Sequence, residues 1–273
     1  MQIINHLLYH DDGTPYPFEE SPNSGGTLRH EYLVMHFTAG RTAKSAVRWL
    51  TQAKAKASAH LVIGRDGSIT QLVPFNVKAW HAGRSSWEGR TGLNKYSIGI
   101  ELVNAGRLKR QGGEWKSWFN QVYDDVDVLE ATHKHESSSS GWHVYTEEQL
   151  EAAMDVASLL VDEYGLQDVI GHDDIAPQRK NDPGPAFPMD SFRARVMGRE
   201  DLEEFYETTG RLNIRTGPGT QYEKLPESPL PAHTPVDILD TSNNWKLVTV
   251  LETINDNMDI EGWVHGRYLQ RQS

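Results

Sequence analysis

The stretch that decides the reading is Gly171-His172-Asp173-Asp174-Ile175-Ala176-Pro177-Gln178-Arg179-Lys180-Asn181-Asp182-Pro183-Gly184-Pro185. It follows the apolar pair Val169-Ile170, which reads as a short strand delivering His172 at its end. Asp182 comes ten residues later, beyond Pro177 and directly before Pro183. A loop stiffened by proline can return a carboxylate to the point where the imidazole stands. Working outward, Tyr32-Leu33-Val34-Met35 is a second short apolar run that reads as a buried strand, and it ends in His36. A lone histidine is more often a surface or hydrogen-bonded residue than a ligand. Strand-end placement is what separates His36 and His172 from the rest of the twelve histidines. Two imidazoles and one carboxylate leave the fourth tetrahedral position of Zn²⁺ open to water, as in catalytic sites. The chain has no cysteine, so disulfides are excluded and any metal is held by His, Asp or Glu.

Around these points strand and helix patterns alternate. Ala43 to Ala55 reads as a helix with Ala46, Val47, Leu50 and Ala53 near one face. Leu61-Val62-Ile63 and Ile69-Thr70-Gln71-Leu72-Val73 flank Arg65-Asp66-Gly67 as a hairpin, and Ser97 to Leu102 is strand-like again. Thr146 opens the clearest helix, with Gln149 three residues on as a capping box and Gly165 as its stop. Leu150, Met154, Ala157 and Val161 form its apolar stripe, and Phe192 to Met197 reads as a last short helix. The alternation indicates an α/β domain over residues 1–198, a mixed sheet flanked by helices.

Two segments depart from this pattern. Asn104 to Tyr145 is poorly patterned and holds Gly112-Gly113, Trp115, Trp118, Phe119 and the serine run Ser137 to Ser140. Such a length of irregular chain reads as a lip around a substrate groove, with a decorative insertion as the alternative. His133, His135 and His143 lie in it and could bind metal among themselves, but no apolar strand positions them. Arg199 to Glu204 is charged and linker-like. Beyond it, Leu212 to Arg215, Val236 to Leu239, Trp245 to Val248 and Gly262 to Val264 read as short strands between Gly and Pro turns. A small all-β barrel over residues 199–273 follows.

The 273 residues carry a formal charge of -11, which argues against nucleic acid as a partner, because phosphate binding rests on Lys and Arg clusters. It argues equally against adhesion to an anionic envelope by charge alone. Met1 to His10 lacks the basic start and long apolar run of a signal peptide, and no stretch is apolar over the ~18 residues a bilayer span needs. The expectation is a soluble chain with no membrane insertion, acting at the cell wall after release or export.

Four segments together resemble a known family: His36-Phe37-Thr38-Ala39-Gly40, Ala79-Trp80-His81-Ala82-Gly83, Ser97 to Leu102, and Gly171 to Pro185. In this order they look like the type 2 N-acetylmuramoyl-L-alanine amidases, relatives of the peptidoglycan-recognition proteins. The resemblance implies one zinc in a surface groove of a mixed sheet, with His36, His172 and Asp182 as ligands. It also implies hydrolysis of the amide between N-acetylmuramic acid and L-alanine in peptidoglycan or muropeptides. Glu101 stands where the family places a catalytic glutamate, the base that moves the water proton to the leaving amine. Lys180 is placed to face the developing oxyanion. Trp80, His81, Arg84 and Asn94 are expected to line the groove, the aromatic for a sugar face or stem and the Arg for a carboxylate. His60, just before a buried strand, reads as structural. Leu212 to Thr220 with Gly262 to Leu269 resembles a bacterial SH3-type domain, which implies a wall-binding module, the alternative being a packing domain. The competing readings of the whole are a peptidoglycan receptor that does not cut, and a delivered effector whose second region recognises a protein.

Overall fold

The computed structural model describes residues 1–198, 206–255, 257 and 260–271. The linker-like stretch Arg199 to Glu204 lies outside the described residues. The chain divides into two compact units, Met1–Arg199 and Glu200–Ser273.

The first unit is built on a five-stranded sheet ordered Asp168–Gly171, Tyr32–Phe37, Ser97–Leu102, Leu61–Ile63, Ile69–Gln71. The first four strands run parallel, and the last closes the hairpin Leu61–Ile63 to Ile69–Gln71 antiparallel. The apolar runs are continuous because both faces are covered. Leu33, Met35, Ile98, Ile100 and Leu61 share a core with Val156, Leu160, Phe192 and Val196 of the helices Glu147–Tyr164 and Met189–Val196. On the opposite face Val62 packs with Val47 and Leu50 of the helix Ala43–Leu50, and Val34 and Ile170 pack with Leu93 and Ile175.

Helix boundaries mostly follow the local chemistry. Thr42 and Ser45 cap each other at the start of Ala43–Leu50, which stops before Ala55 and gives way to a 3₁₀ turn at Ala53–Ala55. Gly165 ends the long helix in the left-handed region, as expected. The expected capping box at Thr146 is only half formed. Thr146 accepts from the Gln149 N–H, but the Gln149 side chain is buried and donates to the Ile63 and Val103 carbonyls. Tertiary demand at the strand ends outcompetes the local cap.

The segment 104–145 is the main departure from the sequence reading. It forms a second five-stranded sheet, antiparallel throughout, in the order Val122–Tyr123, Glu114–Lys116, Arg107–Gln111, Ser139–His143, Val128–Thr132. One side of it closes on a small core of Ala105, Leu108, Trp115 and Tyr123. Strands of two to five residues with one polar face leave too few apolar positions to show a period.

The second unit is a five-stranded antiparallel sheet ordered Glu261–His265, Trp245–Val250, Pro235–Ser242, Tyr206–Thr208, Leu269–Arg271. Leu212, Ile214, Leu230, Val236, Val248 and Val264 fill its core. Leu212 to Arg215, expected as a strand, joins by isolated bridges only, Leu212 to Leu230 and Arg215 to Lys224 and Trp263.

Candidate metal centre

The parallel strands bring the singled-out residues to one place, outside their carboxyl ends, where ligands of such sheets bind. His36 lies near the end of Tyr32–Phe37, with Glu101 in register beside it on Ser97–Leu102. Gly171 pairs with Met35 on the other side, so His172 emerges next to His36 and opens the short helix His172–Ile175. Asp182 is returned by its loop, whose carbonyl accepts from the Asp173 N–H at 2.8 Å. Tyr145 secures the next residue by donating its hydroxyl to the Pro183 carbonyl at 2.8 Å. The three side chains are buried and their ligand atoms form a tight triangle. His36 Nδ1 is 2.8 Å from His172 Nδ1 and 3.0 Å from Asp182 Oδ2, and His172 Nδ1 is 2.9 Å from the same oxygen.

The hydrogen bonds behind this triangle decide which nitrogens carry protons. His81 Nε2 is 3.1 Å from the Ser97 carbonyl, which can only accept, so His81 donates there and its Nδ1 holds a lone pair. That Nδ1 is 2.9 Å from His36 Nε2, which therefore donates to it and leaves a lone pair on His36 Nδ1. His172 Nε2 likewise donates to the Ala82 carbonyl at 3.2 Å and leaves its Nδ1 bare. Two nitrogen lone pairs and a carboxylate oxygen thus point at one another with no proton to share. Such an arrangement can hold a cation at its centre, and backing each ligand imidazole by an acceptor is the usual outer support of a metal site. Two imidazole nitrogens and one carboxylate oxygen are ligands that zinc takes in sites without sulfur. The donor set fits zinc.

Burial holds the His36 imidazolium down at about 4, with His172 adding to the effect. Glu101 is pushed up to about 8 by burial and then by the charge of Asp182, against the pull of Lys180. Its Oε2 is enclosed and has no hydrogen-bond partner. A carboxylate that can both take and return a proton near neutral pH is what this provides. Lys180 is half-buried and its charge is felt at both Glu101 and His36.

The groove-lining expectations divide. His81 is 9% exposed and stands behind His36, so its place is in support of the ligand and not along the groove. Asn94 is likewise a support, its Oδ1 accepting from the His81 and Ala82 N–H groups at 3.0 and 2.6 Å. Arg84 is exposed and lines a cavity of about 480 Å³ with Ser86, Pro177 and Arg179. Trp80 is half-buried. Arg179, not singled out by sequence, clamps the neighbouring loop by donating to the Ala82 and Arg84 carbonyls at 2.9 and 2.8 Å. Its place inside the quoted motif was the only available signal. His60 is buried and fully satisfied, accepting from the Gly99 N–H and donating to the Val77 carbonyl. His133 and His135 both dock on Asp173, through its carboxylate and its carbonyl, while His143 accepts from the Ala105 N–H. Among the described residues, only His36, His172 and Asp182 form a group able to hold a metal.

The fold and this site define a mixed-sheet domain with a buried His-His-Asp group able to hold a metal ion. Residues 26–185 match the family model described as N-acetylmuramoyl-L-alanine amidase, and residues 210–270 match the bacterial SH3 domain. The chain belongs to the N-acetylmuramoyl-L-alanine amidase family. It is 37% identical over 146 residues to 1,6-anhydro-N-acetylmuramyl-L-alanine amidase AmpD of Escherichia coli K12, covering 53% of this chain and 61% of that protein. It is 32% identical over 179 residues to N-acetylmuramoyl-L-alanine amidase AmiD of the same organism, covering 62% and 54%. The chain thus spans about three fifths of the length of the curated relatives it matches. Among solved structures, a selenomethionine derivative of AmpD has a TM-score of 0.49 at 27% identity, covering 72% of this chain and 99% of that one. Escherichia coli AmiD in complex with anhydro-N-acetylmuramic acid-L-Ala-D-gamma-Glu-L-Lys has a TM-score of 0.46 at 32% identity, covering 61% and 57%.

Proposed function

We propose that this chain is a zinc-dependent N-acetylmuramoyl-L-alanine amidase that hydrolyses the amide between N-acetylmuramic acid and the L-alanine of the stem peptide in peptidoglycan or muropeptides. The observation that carries the reading is the convergence of two bare imidazole nitrogens and a carboxylate oxygen beside an enclosed, unpartnered Glu101. The names of the amidases AmpD and AmiD support the choice of bond. His36, His172 and Asp182 would hold one zinc, whose chemistry when bound is Lewis acidity toward the scissile carbonyl and toward water. Glu101 takes a proton from the attacking water as its oxygen bonds to the carbonyl carbon. It then delivers that proton to the alanine nitrogen as the C–N bond breaks, leaving a lactyl carboxylate and a free amine. Lys180 lends positive charge to the oxyanion that forms between these events. Arg84 and Trp80 contact the substrate, while His81 and Asn94 hold the ligand shell in place.

Catalysis is assigned to residues 1–198 and wall binding to residues 199–273. The second region carries seven Lys and Arg against thirteen Asp and Glu, so its attraction to the wall rests on shaped contacts and not on net charge. Linking it to the catalytic unit raises the effective concentration on a polymer. Among the described residues, no helix is long and apolar enough to cross a membrane.

The test is incubation with a muropeptide and mass detection of the free stem peptide, before and after chelation. Product before chelation, none after, and return of activity with zinc is the expected sequence of results. Full activity in the chelated protein would remove the metal from the reading. Pelleting with purified sacculi, compared between the full chain and one ending at Gly198, reads out the second unit separately.

A further inference from the structure

The antiparallel sheet of segment 104–145 has two unlike faces. One carries Leu108 and Trp115 into the small core already described. By the two-residue period of a strand, Arg107, Lys109 and Gln111 point to the other face, joined by Lys116, which pairs in register with Lys109. These side chains line a cavity of about 480 Å³ together with Trp118. The same cavity is lined by Phe37, one residue after His36, and by Asn181, one residue before Asp182. The basic face and the metal centre therefore open onto neighbouring parts of one surface.

Three features of this face are unusual for a decorative sheet. Lys109 and Lys116 stand directly opposite one another, and like charges so placed repel. Lys116 is partly neutralised by Glu114 at 2.9 Å and Arg107 pairs with Glu136, but Lys109 makes no ion pair among the described residues. Arg107 Nε is enclosed and has no acceptor, a state buried donors rarely keep without a partner. Trp118 is 74% exposed, yet its ring is held in place because Nε1 donates to the Ala39 carbonyl at 2.8 Å. Arg41 reinforces this by donating to the Phe119 carbonyl, so the hairpin tip is tied to the loop that follows His36. A fixed, exposed indole beside a cluster of three cations, of which Lys109 has no ion pair among the described residues, is a surface suited to an anionic ligand with a flat or apolar part, in a chain of formal charge -11.

We propose that Arg107, Lys109 and Lys116, with Trp118 as an apolar platform, form a subsite for the free carboxylates of the stem peptide. This rests on the amidase reading for the identity of the ligand. Muropeptide stems such as L-Ala-D-gamma-Glu-L-Lys carry an α-carboxylate on the glutamate and a terminal one on the lysine. The subsite would bind these groups while the alanine amide lies at the metal centre, and so distinguish free from amidated stems. It makes segment 104–145 a specificity element that acts through binding.

The test is calorimetric titration of the full zinc-loaded chain with the tripeptide L-Ala-D-gamma-Glu-L-Lys and with its carboxyl-amidated counterpart. The free acid should bind about tenfold more tightly, as expected when two carboxylates each pair with a cation at the surface. Lys109→Gln with Lys116→Gln should abolish that preference, and Lys109→Arg with Lys116→Arg should retain it, which separates lost charge from lost fold. Equal affinity for the two peptides, binding of neither, or a preference that survives the double glutamine change would each overturn the proposal. Because no bond is cut in the titration, the two readings fail separately. Discrimination without stem release from a muropeptide removes the amidase, and stem release without discrimination removes the subsite.

Discussion

The first unit holds two five-stranded sheets of opposite design, and their contrast explains how the site works. The parallel-cored sheet is packed on both faces, so nearly every residue of Tyr32–Phe37 and Ser97–Leu102 is buried. His36 and Glu101 stand side by side in register near its carboxyl ends, where sites of such sheets form. The antiparallel sheet of segment 104–145 buries Leu108 and Trp115 on one face, and on the other it carries Arg107, Lys109 and Lys116 beside the buried Trp142. Rigidity and chemistry belong to the first sheet, and exposed charge belongs to the second. A substitution in the first should therefore alter rate or stability, whereas one on the polar face of the second should alter preference among ligands.

The largest expected effect is on rate. Glu101→Gln keeps the size of the side chain and removes the proton carrier, and should lower kcat by about 10²–10⁴-fold with zinc content near that of the parent. Stem release by mass and metal content by atomic emission check the two halves of this statement. Parental turnover would take the base role away from Glu101 and leave the metal site standing.

The next effect is a pH dependence of stability from His60. Burial pushes its imidazolium down to about 4, with nearby His30 adding to the effect against the pull of the Val77 carbonyl. An unfolded histidine titrates near 6.5, so below that pH the unfolded chain binds a proton that the folded chain refuses. Stability is complete above pH ~6.5, falls as the pH drops toward about 4, and then levels, with a total loss on the order of 3 kcal/mol from this group. Urea unfolding of the chelated protein at pH 7.5 and pH 5 should show the loss, and His60→Gln should flatten the slope by about one proton. An unchanged slope in the variant would assign the loss to the other buried histidines.

The smallest effect comes from Gly99, which lies between His60 and His81. A Cβ there would meet the His81 ring at 2.5 Å, so only glycine lets that ring reach His36. Gly99→Ala should cost about 1–3 kcal/mol in chemical denaturation and weaken zinc binding, since the support of His36 shifts. If zinc affinity held while stability fell, the relay from Ser97 through His81 would have no part in the metal site.

The two sheets also differ in how far the sequence revealed them. Strands buried on both faces write themselves as apolar runs, so Tyr32 to Met35, Leu61 to Ile63 and Val169-Ile170 were readable, and so were the histidines at their ends. Strands with one solvated face and two to five residues leave no such record, and the segment 104–145 passed for irregular chain. Gln149 fails as a capping residue for a related reason, because the partners that claim it, Ile63 and Val103, are remote in sequence. For His81 and Asn94 the motif records which residues occur together and not the direction in which each faces.

By itself the sequence determined which side chains the candidate site has to offer: no cysteine, two strand-end histidines, and an aspartate within a proline-bound loop, all carried by local pattern. What only the tertiary structure decided is the proton arrangement and the neighbourhood. The bare Nδ1 atoms depend on the carbonyls of Ser97 and Ala82, and the basic face depends on pairing between Arg107–Gln111 and Glu114–Lys116. These are relations between backbone groups and strand registers. No residue type encodes them, so they exist only once the chain has folded.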